Sequence, residues 1–249
     1  RVAADAAAEV GDPVDAGRRT LAAVDAVRPD AIIVDHLAFS ARLALQAAGI
    51  PYADVVLGHP SALPVAGEVY GYPPFWPVAF APVSAELADL RALCDEVSSR
   101  FTAEWNRTAR ALDPAAPLTE DAFGEHGDLV LYNYPAALAS GDGRTVPPHA
   151  FLGSTRRIEP ADAEVDAWMA ATPDYAYVSF GSFLSVRGDV LRRVAAALAE
   201  IGMPAAIATG STPAEELGPI PDGWLVRDYL PQVRLLSHAR LAVTHGGNN

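Results

Sequence analysis

Three short stretches hold the residue types from which chemistry is built. Ser-Phe-Gly-Ser at 179–182 closes one apolar run, His-Gly-Gly-Asn-Asn at 245–249 closes another, and Asp35, followed by His36, closes a third, AIIV. An apolar run that gives way to small and polar residues is the grammar of a phosphate-binding turn, in which main-chain N–H groups face an anion. In SFGS, Gly181 lets the backbone turn closely and Ser182 adds a hydroxyl donor, at the strand edge where open α/β sheets bind ligands. Taken alone, the same four residues read better as a strand-to-loop turn with a self-capping serine.

Composition narrows the chemistry. The 249 residues carry 18 Lys and Arg against 31 Asp and Glu, a net charge of −13, which argues against the broad basic surface that nucleic-acid binding requires. Any phosphate must be held by local dipoles. Cys94 is the sole cysteine, so an internal disulfide and a cysteine-based zinc cluster are excluded, and its apolar spacing reads as a core thiol. His59, His126, His149 and His238 lack the spacing of metal ligands, and no metal is expected. No apolar run approaches the roughly 20 residues of a membrane span. The opening RVAADAAAEV has neither a basic n-region nor an apolar h-region, so a cytoplasmic protein is expected.

The elements that must position these residues alternate. Asp12-Pro13 caps a helix that carries Val14, Leu21, Val24 and Val27 at helical spacing and stops at Pro29. AIIVD at 31–35 reads as a strand, ARLALQAAGIP as a helix stopped by Gly49 and Pro51, and YADVVLG at 52–58 as another strand, the order of a parallel sheet with crossover helices. Residues 64–82 form a Pro-, Gly- and aromatic-rich loop whose Tyr70, Tyr72, Phe75, Trp76 and Phe80 either line an apolar pocket or join the core. Ser84 can cap the next helix, where Leu87, Leu90, Cys94, Val97, Phe101 and Trp105 make one apolar stripe. DLVLYN (128–133) and HAFLG (149–153) follow as strands, and the polar 154–164 is the linker candidate. The pattern then restarts. YAYVSF (175–180) is a strand, Asp189 caps a helix of Val190, Leu191, Val194, Leu198 and Ile201, and PAAIATG, GWLVRDYL and RLAVTH supply three more strand-like runs. The chain is therefore expected to be α/β, with two domains in tandem and the second unfinished.

One stretch is specific. RDYLPQVRLLSHARLAVTHGGNN (227–249) sets Pro231-Gln232, a short helix, a strand and His245-Gly246-Gly247 in the order that resembles the nucleotide-sugar signature of family 1 glycosyltransferases, which include UDP-glucosyltransferases and bacterial macrolide and antibiotic glycosyltransferases. YVSFGS and RPDAIIVDHLAFSARLALQAAGIPY match two further segments of that family in the same order. The resemblance implies the GT-B fold, two Rossmann-like domains with parallel sheets. It assigns 1–156 to an acceptor-binding N-terminal domain lacking the family's first strand and helix, 157–172 to a linker, and 173–249 to an incomplete nucleotide-sugar domain.

Carried onto this chain, the resemblance places His245 on the donor diphosphate, Asn249 beside it and Ser182 donating from the facing turn. Gly246 and Gly247 complete the turn, and Asn248 has only a weak role. Such donors can hold a diphosphate in an acidic protein and stabilise it as it leaves. Tyr229 stands where many members place a base-stacking tryptophan, Leu230 where the backbone meets the base, and Gln232 near the ribose. Tyr229 is thus either a stacking residue or a buried strand-end aromatic. Asp35 matches the carboxylate that orients a general-base histidine, which the family carries after its first strand, upstream of the residues present. His36 points elsewhere than its neighbour Asp35 and reads as a satisfied or exposed histidine.

The implied activity is inverting transfer of a hexose or deoxyhexose from a UDP- or dTDP-sugar co-substrate, without a cofactor, to a hydroxyl of an apolar small molecule. The Ala-, Pro- and Arg-rich style points to a high-GC bacterial source and a natural-product acceptor, as in antibiotic biosynthesis. This stretch alone is expected to bind donor poorly and transfer nothing. The rival is a catalytically silent GT-B-like binding or partner protein; a nucleotide-sugar epimerase of the same fold is more distant.

Overall fold

The computed structural model describes residues 11–73, 76, 82–139, 144–153 and 158–246, with the side chains of 182 and 183 left aside. The chain divides into two compact units, Arg1–Ser154 and Thr155–Asn249. Among the described residues no helix is long and apolar enough to cross a membrane.

The first unit is built on four parallel strands in the order β1-β2-β3-β4: Ile33–Asp35, Ala53–Val56, Leu129–Tyr132 and His149–Phe151. Helix α1 (Pro13–Val27) starts where expected, because the Asp12 side chain accepts the Val14 N–H at 3.0 Å and Pro13 occupies the first turn. Helix α2 (Phe39–Ala47) buries Leu43, Ala44, Leu45 and Ala47, and the long α3 (Ser84–Leu112) packs Trp105 and Ala109 against them. The expected capping by Ser84 is corrected: Val83 precedes the helix, Ser84 is its first residue, and no side chain caps it. The apolar stripe of α3 is also core only in part. Cys94 and Trp105 are buried, whereas Val97 is 37% exposed, because neighbours cover mainly the C-terminal half of the helix.

The second unit repeats the arrangement in the order β7-β6-β5-β8, again all parallel: β5 is Ala176–Ser179, β6 Ala205–Ala208, β7 Leu225–Arg227 and β8 Leu241–Thr244. Both faces of β5 and β6 are covered. Helices α5 (Gly181–Leu184) and α6 (Gly188–Glu200) follow β5, and α6 packs Leu191, Ala195 and Leu198 on one face of the sheet. Helices α4 (Ala163–Ala171) and α7 (Gln232–Leu236) give Val165 and Leu235 to the other face, beside Tyr175 and Tyr177. Burial on both sides explains why YAYVSF and PAAIATG read as continuous apolar runs rather than alternating ones.

Within the segment read as a linker lies a helix: Asp162 accepts the Val165 N–H at 3.1 Å and starts α4, whose Val165 is fully buried in the second unit. One expectation changes here: Asp189 does not cap α6. Arg187 is the capping residue, and the Asp189 carboxylate bridges Arg187 at 2.8 Å and Arg193 at 3.1 Å instead.

Candidate functional site

In a parallel sheet every strand delivers its following residues to the same edge. The second unit thereby gathers Phe180-Gly181-Ser182 after β5, Thr209-Gly210 after β6, Asp228 to Gln232 after β7, and His245-Gly246 after β8. β5 and β8 are direct neighbours with Ser179 level with Thr244, so the turns that follow them meet.

The fit between those turns is close. Gly181 has φ +64°, a left-handed conformation that favours glycine, and a Cβ there would lie 2.9 Å from His245 Cε1 and 3.4 Å from Nε2. The imidazole therefore rests on the Gly181 backbone while remaining exposed. The Gly246 N–H donates to Thr244 Oγ1 at 2.9 Å, which fixes the chain as it leaves β8. Behind the β5 turn, Ser185 is 1% exposed, its Oγ accepts the Ser211 N–H at 3.2 Å, and its carbonyl accepts the Thr212 hydroxyl. Gly210, with φ +60°, has no room for a Cβ, which would sit 2.4 Å from that of Ser185. Ser185 and Gly210 were missed in the sequence, and only a glycine after an apolar run hinted at them.

Tyr229 lies two strand positions from β5, roughly 10 Å along the edge. It is 64% exposed, so the buried-aromatic alternative falls away and its ring is free to stack. Leu230 is buried against Tyr175, Tyr177 and Leu235 and anchors the segment. Gln232 opens α7, and the next two amides, of Val233 and Arg234, donate to the Glu159 carboxylate at 3.1 and 3.0 Å. Ser182 is the second residue of α5. Gly247, Asn248 and Asn249 lie outside the described residues.

In the first unit Asp35 ends β1 at the same kind of edge, exposed, with Oδ1 accepting the Leu37 N–H at 2.8 Å. His36 is buried at 6% exposure, its Nδ1 3.4 Å from Asp54 Oδ2, and is a satisfied core histidine. Asp54 itself, fully buried on β2, gave no signal, because ADVV reads as a strand whichever way its aspartate points.

The first unit also holds a cavity of about 1110 Å³, bounded by His59, Leu63, Glu68, Tyr132, Arg144 and Val146 among others. Its volume is slightly above the roughly 300–1,000 Å³ usual for small-molecule sites. Arg144 and Glu68 meet through two hydrogen bonds of 2.5 and 2.6 Å, and burial pushes the Tyr132 phenol up to about 12 although the nearby Arg144 opposes the shift. The Tyr132 hydroxyl has no hydrogen-bond partner among the described residues. His59 Nδ1 accepts the Ser61 N–H at 3.1 Å, so its neutral ring carries the proton on Nε2.

The aromatic loop sits differently from a simple pocket lining. Tyr70 stacks on Phe123 with ring centroids 4.0 Å apart, Tyr72 lies under the Arg91 guanidinium at 5.3 Å, and Trp76 is 37% exposed. These three are not among the cavity walls, and Phe75 and Phe80 lie outside the described residues.

Comparison with known proteins agrees with this geometry. Residues 142–249 match the family model of UDP-glucoronosyl and UDP-glucosyl transferase. That match covers less than half of the chain, and the likeness to solved structures shows the GT-B fold. Among solved structures, the glycotransferase of kitacinnamycin is 22% identical with a TM-score of 0.60, covering 95% of this chain and 57% of its own. Glycosyltransferase VinC in complex with dTDP is 17% identical (TM-score 0.51; 93% of this chain, 52% of its own). Medicago truncatula UGT71G1 complexed with UDP-glucose is 14% identical (TM-score 0.52; 93% and 57%). The chain thus spans little more than half the length of these structures. No curated protein sequence matches it.

Proposed function

We propose that this protein is an inverting glycosyltransferase that moves a hexose or deoxyhexose from a nucleoside-diphosphate sugar to a hydroxyl of an apolar small molecule. The observation that carries the reading is the seating of His245 on the Gly181 turn, in a segment of glycosyltransferase sequence. The diphosphate lies against His245, Ser182 and the glycine turn at 246–247, with Asn249 adjacent and Asn248 peripheral. The base lies toward exposed Tyr229, with Leu230 and Gln232 placing it and the ribose. A structural relative holds dTDP and another UDP-glucose, which supports a UDP- or dTDP-sugar here.

The 1110 Å³ cavity, whose walls combine Leu63 and Val146 with a few polar groups, supports this acceptor class. A bulky, largely apolar natural product suits that lining, as does the kitacinnamycin relative. Asp35 orients the imidazole that takes the acceptor proton and stabilises its charged form. A bacterial, cytoplasmic setting completes the reading.

In full-length enzyme, Asp35→Ala should lower turnover sharply with nucleotide affinity kept. His245→Ala should weaken UDP and dTDP binding measured by calorimetry. Unchanged turnover in the first variant or unchanged affinity in the second removes that residue from its role.

A further inference from the structure

The first unit contains a fully buried ion pair that the proposed mechanism has not used. Arg42 on α2 and Asp54 on β2 are both 0% exposed, with Arg42 Nε 3.2 Å from Asp54 Oδ1. Charges removed from water need every remaining donor and acceptor met, or the pair costs more than it returns. Here the partners are main-chain groups at two separate turns. Arg42 Nη1 donates to the His36 carbonyl at 2.9 Å and Nη2 donates to the Glu125 carbonyl. Asp54 Oδ2 accepts the Gly127 N–H at 3.0 Å and faces His36 Nδ1 at 3.4 Å. The Arg42 guanidinium also lies 5.6 Å from the Trp105 ring and 5.9 Å from Phe39, which hold it from the other side.

One of those turns carries Asp35. The Ala38 N–H donates to the Asp35 carbonyl at 2.8 Å and the Leu37 N–H to its carboxylate at 2.8 Å, so the carboxylate direction is set by residues 36–38. The other turn, Gly124 to His126, forms part of the wall of the 1110 Å³ cavity. The Gly127 backbone packs closely on Tyr52, since a Cβ there would lie 2.3 Å from the Tyr52 carbonyl oxygen.

We infer that Arg42 and Asp54 are positioning residues: one buried ion pair fixes the turn that aims the Asp35 carboxylate and ties it to the acceptor-cavity wall. The catalytic part of this inference rests on the reading of Asp35 given above; the clamp itself does not. The titratable groups around the pair are His36 on the β1 turn, Tyr52 before β2 and Glu125, whose carboxylate accepts from Gln46 Nε2 at 2.9 Å.

The test uses two readouts. In ¹⁵N-labelled chain, the Leu37 amide shift follows Asp35 ionisation while the bond between them holds. Asp54→Asn and the volume-conserving double variant Arg42→Met with Asp54→Leu should lose that response, whereas Leu112→Ala, which loosens the unit elsewhere, should keep it. In full-length enzyme, assayed for nucleoside diphosphate release from UDP-glucose with 4-methylumbelliferone, the clamp variants should lower kcat by about 10- to 100-fold with the donor KM unchanged. A Leu37 response retained in both clamp variants overturns the clamp. A lost response with normal kcat, while Asp35→Asn is inactive, overturns its positioning role. Normal turnover in Asp35→Asn overturns the Asp35 reading instead, and the amide response still decides the clamp.

Discussion

Replacing Gly181 with alanine tests the donor site through its backbone. The residue sits at φ +64°, where an alanine costs about 1–2 kcal/mol. Its new methyl would also lie 2.9 Å from His245 Cε1. Carbon atoms settle at about 3.5–4.0 Å, so the ring must move by roughly 0.6–1 Å. A hydrogen bond to phosphate at about 2.9 Å is lost over that displacement. Bonds to charged groups contribute about 1.5–3 kcal/mol, so UDP or dTDP should bind roughly 10- to 100-fold more weakly. Gly202→Ala is the matched control, because Gly202 has φ +67° and nothing within 4 Å of a Cβ. Both variants should lose similar thermal stability in full-length protein, and only Gly181→Ala should lose nucleotide affinity by calorimetry. Equal affinities in the two variants would refute the seating of His245 on this turn as part of the donor site.

Other outcomes follow from the packing and the charges. Gly127→Ala forces a methyl to within 2.3 Å of the Tyr52 carbonyl oxygen and should lower the melting temperature of the first unit markedly; an unchanged melt by circular dichroism contradicts that. Trp105, 6% exposed, should cost about 3–5 kcal/mol on replacement by alanine, read from the urea midpoint and slope, and a loss under 1 kcal/mol would show that the site collapses freely. The Val165 N–H, then the Arg227 guanidinium, hold the Asp162 carboxyl below its usual range. Its folded pKa lies under the unfolded one, so its contribution is present above about pH 4 and lost as pH falls through the folded value. Asp162→Asn should therefore flatten the acid side of the stability curve of the second unit, measured as urea midpoint against pH; an unaltered acid limb would exclude the cap.

The strands were the most legible part of the molecule. β5 and β6 announce themselves because burial on both faces demands unbroken apolar runs, and the carboxyl edge then places the turns that begin at Phe180 and His245 together without further information. What stayed hidden was polar and buried. Asp54 and Arg42 look like an ordinary strand aspartate and a surface helix arginine, since pairing across 12 residues of separation leaves no local pattern. Helix starts misled for a related reason: Ser84 and Asp189 are good caps by type, but a cap requires the preceding backbone to be extended with its side chain turned back, which tertiary context decides. Helix α4 also stayed hidden, because a polar run can be an exposed helix held by one buried residue, here Val165.

Glycosyl transfer itself is the central claim. Full-length protein incubated with UDP-glucose or dTDP-glucose and a panel of hydroxylated aromatic and macrocyclic compounds should release nucleoside diphosphate and form a glycoside in equal amounts, with the anomeric configuration inverted by NMR. Nucleotide that binds with ordinary affinity while no acceptor in the panel is glycosylated would contradict the account and favour a silent GT-B binding protein.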